Sequence, residues 1–251
     1  MYEDSPWQRT GPRLGMTIVF WSVAVSTVAA AALLVVSVVN RDVPGVIGFA
    51  AGTVVLGHLV GFGAHLWWRP RRTAPRVALL DGAVTFRFSV WTYYWLASFM
   101  IMTIVALLFL GWIADLAARG GAVVVEVMAF GAAAFFGWRL LRLIFGGRGG
   151  LLLTPAMIEH HGPGFVRRLG WDEVAAVVAG ELNDAPLIVL KPGAPARPDI
   201  TPIAIRSVWL VDDPVIVYRT LRHYHANPRH RPELAGAAGA DRIRQRRFAT
   251  R

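Results

Sequence analysis

His58 and His65 are the first residues in this 251-residue chain whose type and spacing suggest chemistry. They stand seven apart in an uncharged apolar run, so a helix puts both on one face. Histidines in such a run can ligate a metal or relay a proton. Two helical turns separate them by about 10 Å, too far for one metal without a third ligand from elsewhere. Neutral histidines hydrogen-bonded between helices are the expectation. Glu126 is a third intramembrane polar candidate. It enters its apolar segment by only about 6–9 Å, whereas His58 is near the middle of its own, so the two should not pair. Glu126 is placed to line an ion path, to accept a hydrogen bond from a tyrosine or serine, or to reach the outer interface. His160 and His161 are adjacent on a strand-like segment and point to opposite faces. His223 and His225 do not share a helix face. The chain has no cysteine, which removes disulfides and thiolate-held metals. It has no phosphate-binding glycine loop, HExxH, GxSxG or Ser/His/Asp arrangement. The expectation is a non-enzyme without cofactor.

The elements that carry these residues follow from the charge pattern. Hydrophobic residues make up 55% of the chain and charged ones only 17%, against about 25% charge in an ordinary soluble domain. No charged residue lies between Arg13 and Arg41, between Asp42 and Arg69, or between Arg87 and Asp115. Each gap exceeds the roughly 20 apolar residues that cross a bilayer. A fourth stretch, 120–145, carries Glu126 and closes with arginines. The first stretch is too long for the apolar core of a signal peptide and reads as an anchor. Ten arginines flank one side of these spans and only Arg41 and Arg119 the other. Positive residues stay inside, so both termini are expected in the cytoplasm of a plasma-membrane protein. Arg69, Arg71, Arg72, Arg76, Arg142 and Arg148 are then expected at the lipid surface. Trp67, Trp68, Trp91, Tyr93, Tyr94 and Trp95 fit the aromatic belt. In the second span Gly48 and Gly52, then Gly57 and Gly61, have the spacing of a helix-packing face, toward another helix of this chain or of a second copy.

The pattern reads as one unit used twice: two spans, an arginine cluster, a short strand pair. The first strand pair is RVALLDGAVTFRFS (76–89) and the second GLLLTPAMIEHHGP (150–163). A lone hairpin is marginal in water. Both segments follow even-numbered spans, so 76–89 is expected to pair or pack with the domain that starts near residue 149. Strand-like runs follow at 165–169, 174–181, 186–193 and 200–208. A helix opens at Asp213-Pro214 and ends at Pro228. Five or more strands and one amphipathic helix describe a small, partly open barrel capped by a helix. The fold class is α+β: four transmembrane helices plus this domain.

LLLTPAMIEHHG, then RRLGWDEVAAV, a strand and a closing helix resemble the bacterial PH-like (bPH) family. Thr154, Pro155, Ile158, Trp171, Glu173 and Val174 match its opening pattern, while Met157 stands where glycine is common. The resemblance covers residues 146–226. It implies a PH-like domain carried by membrane helices, without shared catalytic residues. The arginine, alanine and glycine bias also suggests a GC-rich bacterial genome.

The expected organisation is a helix pair (1–68), a hairpin-like segment (69–92), a second helix pair (93–145), the PH-like domain (146–228) and a disordered basic tail (229–251). Net charge is +10 overall. Residues 149–226 hold seven basic residues against eight acidic ones, a net of −1. The excess lies beside the spans and in the tail, which suits anionic lipid and argues against nucleic acid. A protein-interaction or scaffold role follows as the expectation, with membrane lipids and an unidentified membrane or cytoplasmic protein, or a second copy, as partners. A transport or channel subunit built on the doubled unit is the alternative. A membrane-embedded enzyme is a third, lacking convergent polar groups at one depth.

Overall fold

A computed structural model of the protein describes residues 6–7, 14–68, 75–80, 82–118, 123–146, 149–162, 164–182, 185–193 and 201–248. The chain divides into two units, residues 10–70 and the remainder.

The smaller unit is a pair of packed helices, α1 (Leu14–Val39) and α2 (Val43–Trp68). Arg41 turns the chain with a positive φ of 57°, and Asp42 donates its backbone N–H to the Ser37 carbonyl at 2.9 Å. Apolar side chains point outward along both helices. Two of their hydroxyls bond back to their own helices: Thr27 and Thr53 donate to the carbonyls of Val23 and Phe49, at 2.8 and 2.7 Å. Such back-bonding satisfies a polar group where no water is available.

The larger unit holds two more long helices, α3 (Val90–Ala118) and α4 (Val123–Phe145), packed on each other. Among the described residues, four helices are long and apolar enough to cross a membrane. The unit also holds two antiparallel sheets. The first runs in the order β1 (Ala78–Leu80), β2 (Ala83–Arg87), β3 (Gly150–Leu153), β4 (Met157–Gly162), β5 (Phe165–Gly170). The second contains β6 (Val174–Leu182), β7 (Ala185–Pro192) and β8 (Ile203–Arg206). Helix α5 (Pro214–Ala226) follows, with the Asp213 carboxylate accepting from Val215 N–H at 2.9 Å.

The hairpin expected to dock does so by strand pairing. Val84 stands opposite Leu153 and Phe86 opposite Leu151, and all four side chains are buried. The second sheet returns to the first where Phe88 bridges Leu210. Asp212 completes that seam by accepting from Arg76 N–H at 2.7 Å.

The C-terminal segment corrects the expected disordered tail. Residues Pro228–Ala235 form a 3-10 helix and Ala237–Arg244 form α6. Leu234 and Ile243 are wholly buried. Arg242 grips Glu233 through two hydrogen bonds of 2.7 and 2.8 Å, and Arg244 donates to the Val77 carbonyl at 3.1 Å. The apolar residues lie too far apart to make a periodic stripe, and a few buried anchors hold the segment instead.

Trp7, near the start of the chain, is also part of this core. Its indole N–H donates to the Gly180 carbonyl at 2.6 Å, and its ring meets Tyr218 edge-on at 5.7 Å. Three separate stretches of chain, before α1, between α2 and α3, and after α4, therefore share one hydrophobic core.

Candidate interaction sites

The two halves of the Thr-Pro and Trp-x-Glu pattern meet in space. Trp171 donates its indole N–H to the Thr154 carbonyl at 2.8 Å, and its backbone N–H to Ala156. The Thr154 hydroxyl closes its own turn, accepting from Met157 N–H at 2.9 Å. Among the described residues only Arg41 and Arg246 combine a side chain with positive φ. Met157 thus starts β4 in ordinary backbone geometry, and its turn does not require glycine. Glu173 accepts from Gly170 N–H at 2.8 Å and fixes the entry to β6. These residues build the fold rather than a reactive centre.

His160 and His161 diverge as strand geometry requires. His161 reaches Glu159 at 2.8 Å on the outer face, and Arg168 joins the same carboxylate at 3.0 Å. His160 faces inward at 5% exposure, edge-on to Phe88 and Phe165. Its Nδ1 has no hydrogen-bond partner among the described residues. Burial, then the charges of Arg167 and His161, lowers its pKa to about 4. The imidazole is held neutral in the native state, while the unfolded chain takes up its proton near pH 6.5. Stability is therefore complete above pH 6.5 and falls as pH drops toward 4, by about 3 kcal/mol at most. We expect the melting temperature of the full chain in detergent to fall over that window. His160→Leu should flatten the fall in part. A parallel pH profile in this variant would remove His160 as its source.

A second histidine lies under the C-terminal segment. His223 is buried, and its Nε2 is 3.0 Å from Nδ1 of His230, the rings stacked at 5.1 Å. One ring must donate and the other accept. Burial, then the charges of Arg242 and His230, lowers the His223 pKa against the opposing pull of Glu233. The Glu233 carboxyl is lowered chiefly by its Arg242 hydrogen bonds. Burial pushes the Tyr224 hydroxyl up to about 12. Reading the tail as disordered hid this cluster, because His230, Glu233 and Arg242 all belong to it. Among the described residues, no three His, Cys, Asp or Glu side chains converge to hold a metal.

The polar candidates on the long helices are described each within its own unit. His58 donates from Nδ1 to the Val54 carbonyl in its own helix at 3.1 Å. His65 is half-buried farther along α2, and Glu126 is half-buried on α4, on the side that buries Ala129 and Ala133. Of the glycines, a side chain built at Gly57 would meet the Thr27 methyl of α1 at 3.9 Å, whereas side chains built at Gly48 or Gly52 would meet nothing within 4 Å. Nine residues of helix turn through about 900°, so the two glycine pairs occupy opposite faces of α2. Gly61 is half-buried.

Of the expected surface arginines, Arg69, Arg71, Arg72 and Arg148 lie outside the described residues. Arg76 is exposed where its segment joins the sheet. Arg142 is exposed near the end of α4 with its guanidinium over Trp138, 5.0 Å from the ring centre. Compared with protein-family models, curated proteins and solved structures, the chain finds no match in any of the three.

Proposed function

We propose that this protein is a non-enzymatic, multi-pass plasma-membrane protein whose cytoplasmic domain, PH-like in its strand-and-helix pattern, is a protein-interaction or scaffold module. One observation carries the reading: among the described residues, segments before α1, between α2 and α3, and after α4 contribute to a single core. Trp7 precedes the first span, Val77 follows the second, and both are buried in it. Strand β2 ends three residues before α3 begins, and only four residues separate α4 from β3. Tyr93, in the first turn of α3, accepts from Gly149 N–H at 2.8 Å. A domain attached so closely is held in a set orientation beside the bilayer. That suits a platform for a partner better than a tethered sensor. Even numbers of spans between the shared segments, with the arginine asymmetry, support a cytoplasmic domain and cytoplasmic termini.

Photo-crosslinking residues placed at exposed Glu181 and Lys191, in native membranes, test the role. A discrete protein adduct from these positions is expected. If only unreacted chain is recovered and the purified, reconstituted protein instead carries a solute flux that Glu126→Gln abolishes, the transport alternative replaces this reading. A periplasmic-only reporter fused to Arg251 should stay silent, and activity there would overturn the topology.

A further inference from the structure

We infer that the β4–β5 hairpin tip, Phe165 and Val166, is a lipid-contacting wedge that seats the domain on the bilayer. The inference rests on the membrane reading above. Strand β4 alternates buried and less buried residues regularly, as a half-buried strand should. Its partner does not: residues 165–168 of β5 are all exposed, on both faces. That end of the strand lies at the surface of the domain, its Phe165 ring edge-on to His160 at 5.4 Å. A surface strand in water would open on polar residues, yet this one opens with Phe165 at 43% and Val166 at 54% exposure.

Its position explains the composition. Gly164 turns the hairpin with a φ of +80°, and a side chain there would meet Arg142 Cβ at 3.8 Å. Gly146, just past α4, approaches the Gly164 backbone nitrogen in the same way. Helix α4 has 23 residues, about 34 Å of length against a hydrocarbon layer of about 30 Å. Arg142, one turn from the helix end, therefore lies near the headgroup boundary, and the hairpin tip beside it lies at the same depth. Trp138, Ile144 and Phe145 are also exposed on this stretch of helix. Arg167 lies over the Phe165 ring at 5.4 Å and donates to the Pro202 carbonyl, while Arg168 holds Glu159. Each arginine is stationed behind an apolar residue, as in interfacial segments whose apolar part dips about 5–10 Å into the boundary.

Leu79 and Leu80 provide an internal contrast. They are as exposed as Phe165, at 45% and 48%. Leu80 pairs with Ala83, and the rest of β2, Phe88 and Ser89, about 20 Å if extended, separate Ala83 from the start of α3. The same kind of surface at the far end of the domain should stay in water.

The absence of native cysteine makes the test direct. Single cysteines at Phe165→Cys, Val166→Cys, Val127→Cys and Leu80→Cys carry an environment-sensitive dye in the full chain. The protein is reconstituted into phosphatidylethanolamine–phosphatidylglycerol vesicles with or without lipid spin-labelled near the headgroup end of the acyl chain. Dyes at 165 and 166 are expected to lose about half their emission to the spin label, as a probe seated in the boundary would, and the dye at 80 to lose none. Quenching of 127 with no quenching of 165 or 166 overturns the wedge and leaves the membrane reading intact. No quenching at 127 overturns both. Hydroxyl-radical labelling of the unmodified chain repeats the comparison without a dye. Phe165 should be protected relative to Leu80 in vesicles, and equal labelling overturns the wedge.

Discussion

Trp171→Ala is expected to cost the domain about 3–5 kcal/mol, the usual range for truncating a large buried aromatic. The side chain is 1% exposed in the described core. It packs near the Tyr224 ring of α5 at 6.3 Å and carries the Arg231 guanidinium on its face at 5.6 Å. Alanine removes the ring volume and also the donor to the Thr154 carbonyl. An acceptor left unpaired inside a core adds about 1–3 kcal/mol of cost to the cavity. Small domains are stable by only about 5–15 kcal/mol in total. The measurement is thermal unfolding of the full chain in detergent, followed by near-ultraviolet circular dichroism. Trp171→Phe separates the two contributions, because it keeps most of the ring volume and loses only the hydrogen bond. It should fall between the wild type and the alanine variant. An unchanged transition in Trp171→Ala would show that this side chain does not join the closing helix to the Thr154 turn.

Ile243→Ala and Leu234→Ala should each destabilise the domain by about 2–5 kcal/mol, as for other wholly buried aliphatic side chains. Both lie in the C-terminal segment and both are fully buried. Both share the hydrophobic core with α5: the 3-10 helix that carries Leu234 packs on α5 and β2, and α6 packs on that 3-10 helix and β1. The nearby Arg242–Glu233 pair is about a quarter exposed on each side, so Arg242→Ala should cost only about 1 kcal/mol or less. The order matters more than the individual values. A segment held by lipid attraction would respond to arginine loss and ignore Ile243→Ala. A segment held by packing does the opposite. Amide exchange across residues 237–244, measured in detergent without lipid, separates the same two cases: slow exchange for a docked helix, fast for a free tail.

Much of the element order could be read directly. Three uncharged stretches and a fourth, apolar between Glu126 near its start and the arginines at its close, mark four helices long enough to cross a membrane, since the bilayer allows almost no charge at its centre. The apolar run of β7 closed by Pro192-Gly193 reads as a strand, and Asp213-Pro214 marks the start of α5 by capping chemistry. The docking of 76–89 also followed from physics, because its apolar face needed a sheet on the same side. Other features gave little local signal. Trp7 is one aromatic in a polar segment, and nothing nearby announces that it belongs between Gly180 and Tyr218. The C-terminal arginines look like lipid-seeking charge until Glu233 and the Val77 carbonyl are found beside them. His223 and His230 become neighbours only because the chain folds back after Asn227.

What the sequence determined by itself is therefore what depends on neighbours along the chain: hydrophobic length, charge asymmetry, strand alternation and helix caps. Tertiary structure alone decided which distant residues share a core. It drew Trp7, the 76–89 hairpin and Ile243 together with the strands and α5, and it brought β5's apolar tip to the end of α4. Local pattern is written in backbone periodicity, which recurs every two or 3.6 residues. Long-range burial carries no such period, because a single well-placed side chain can anchor a whole segment.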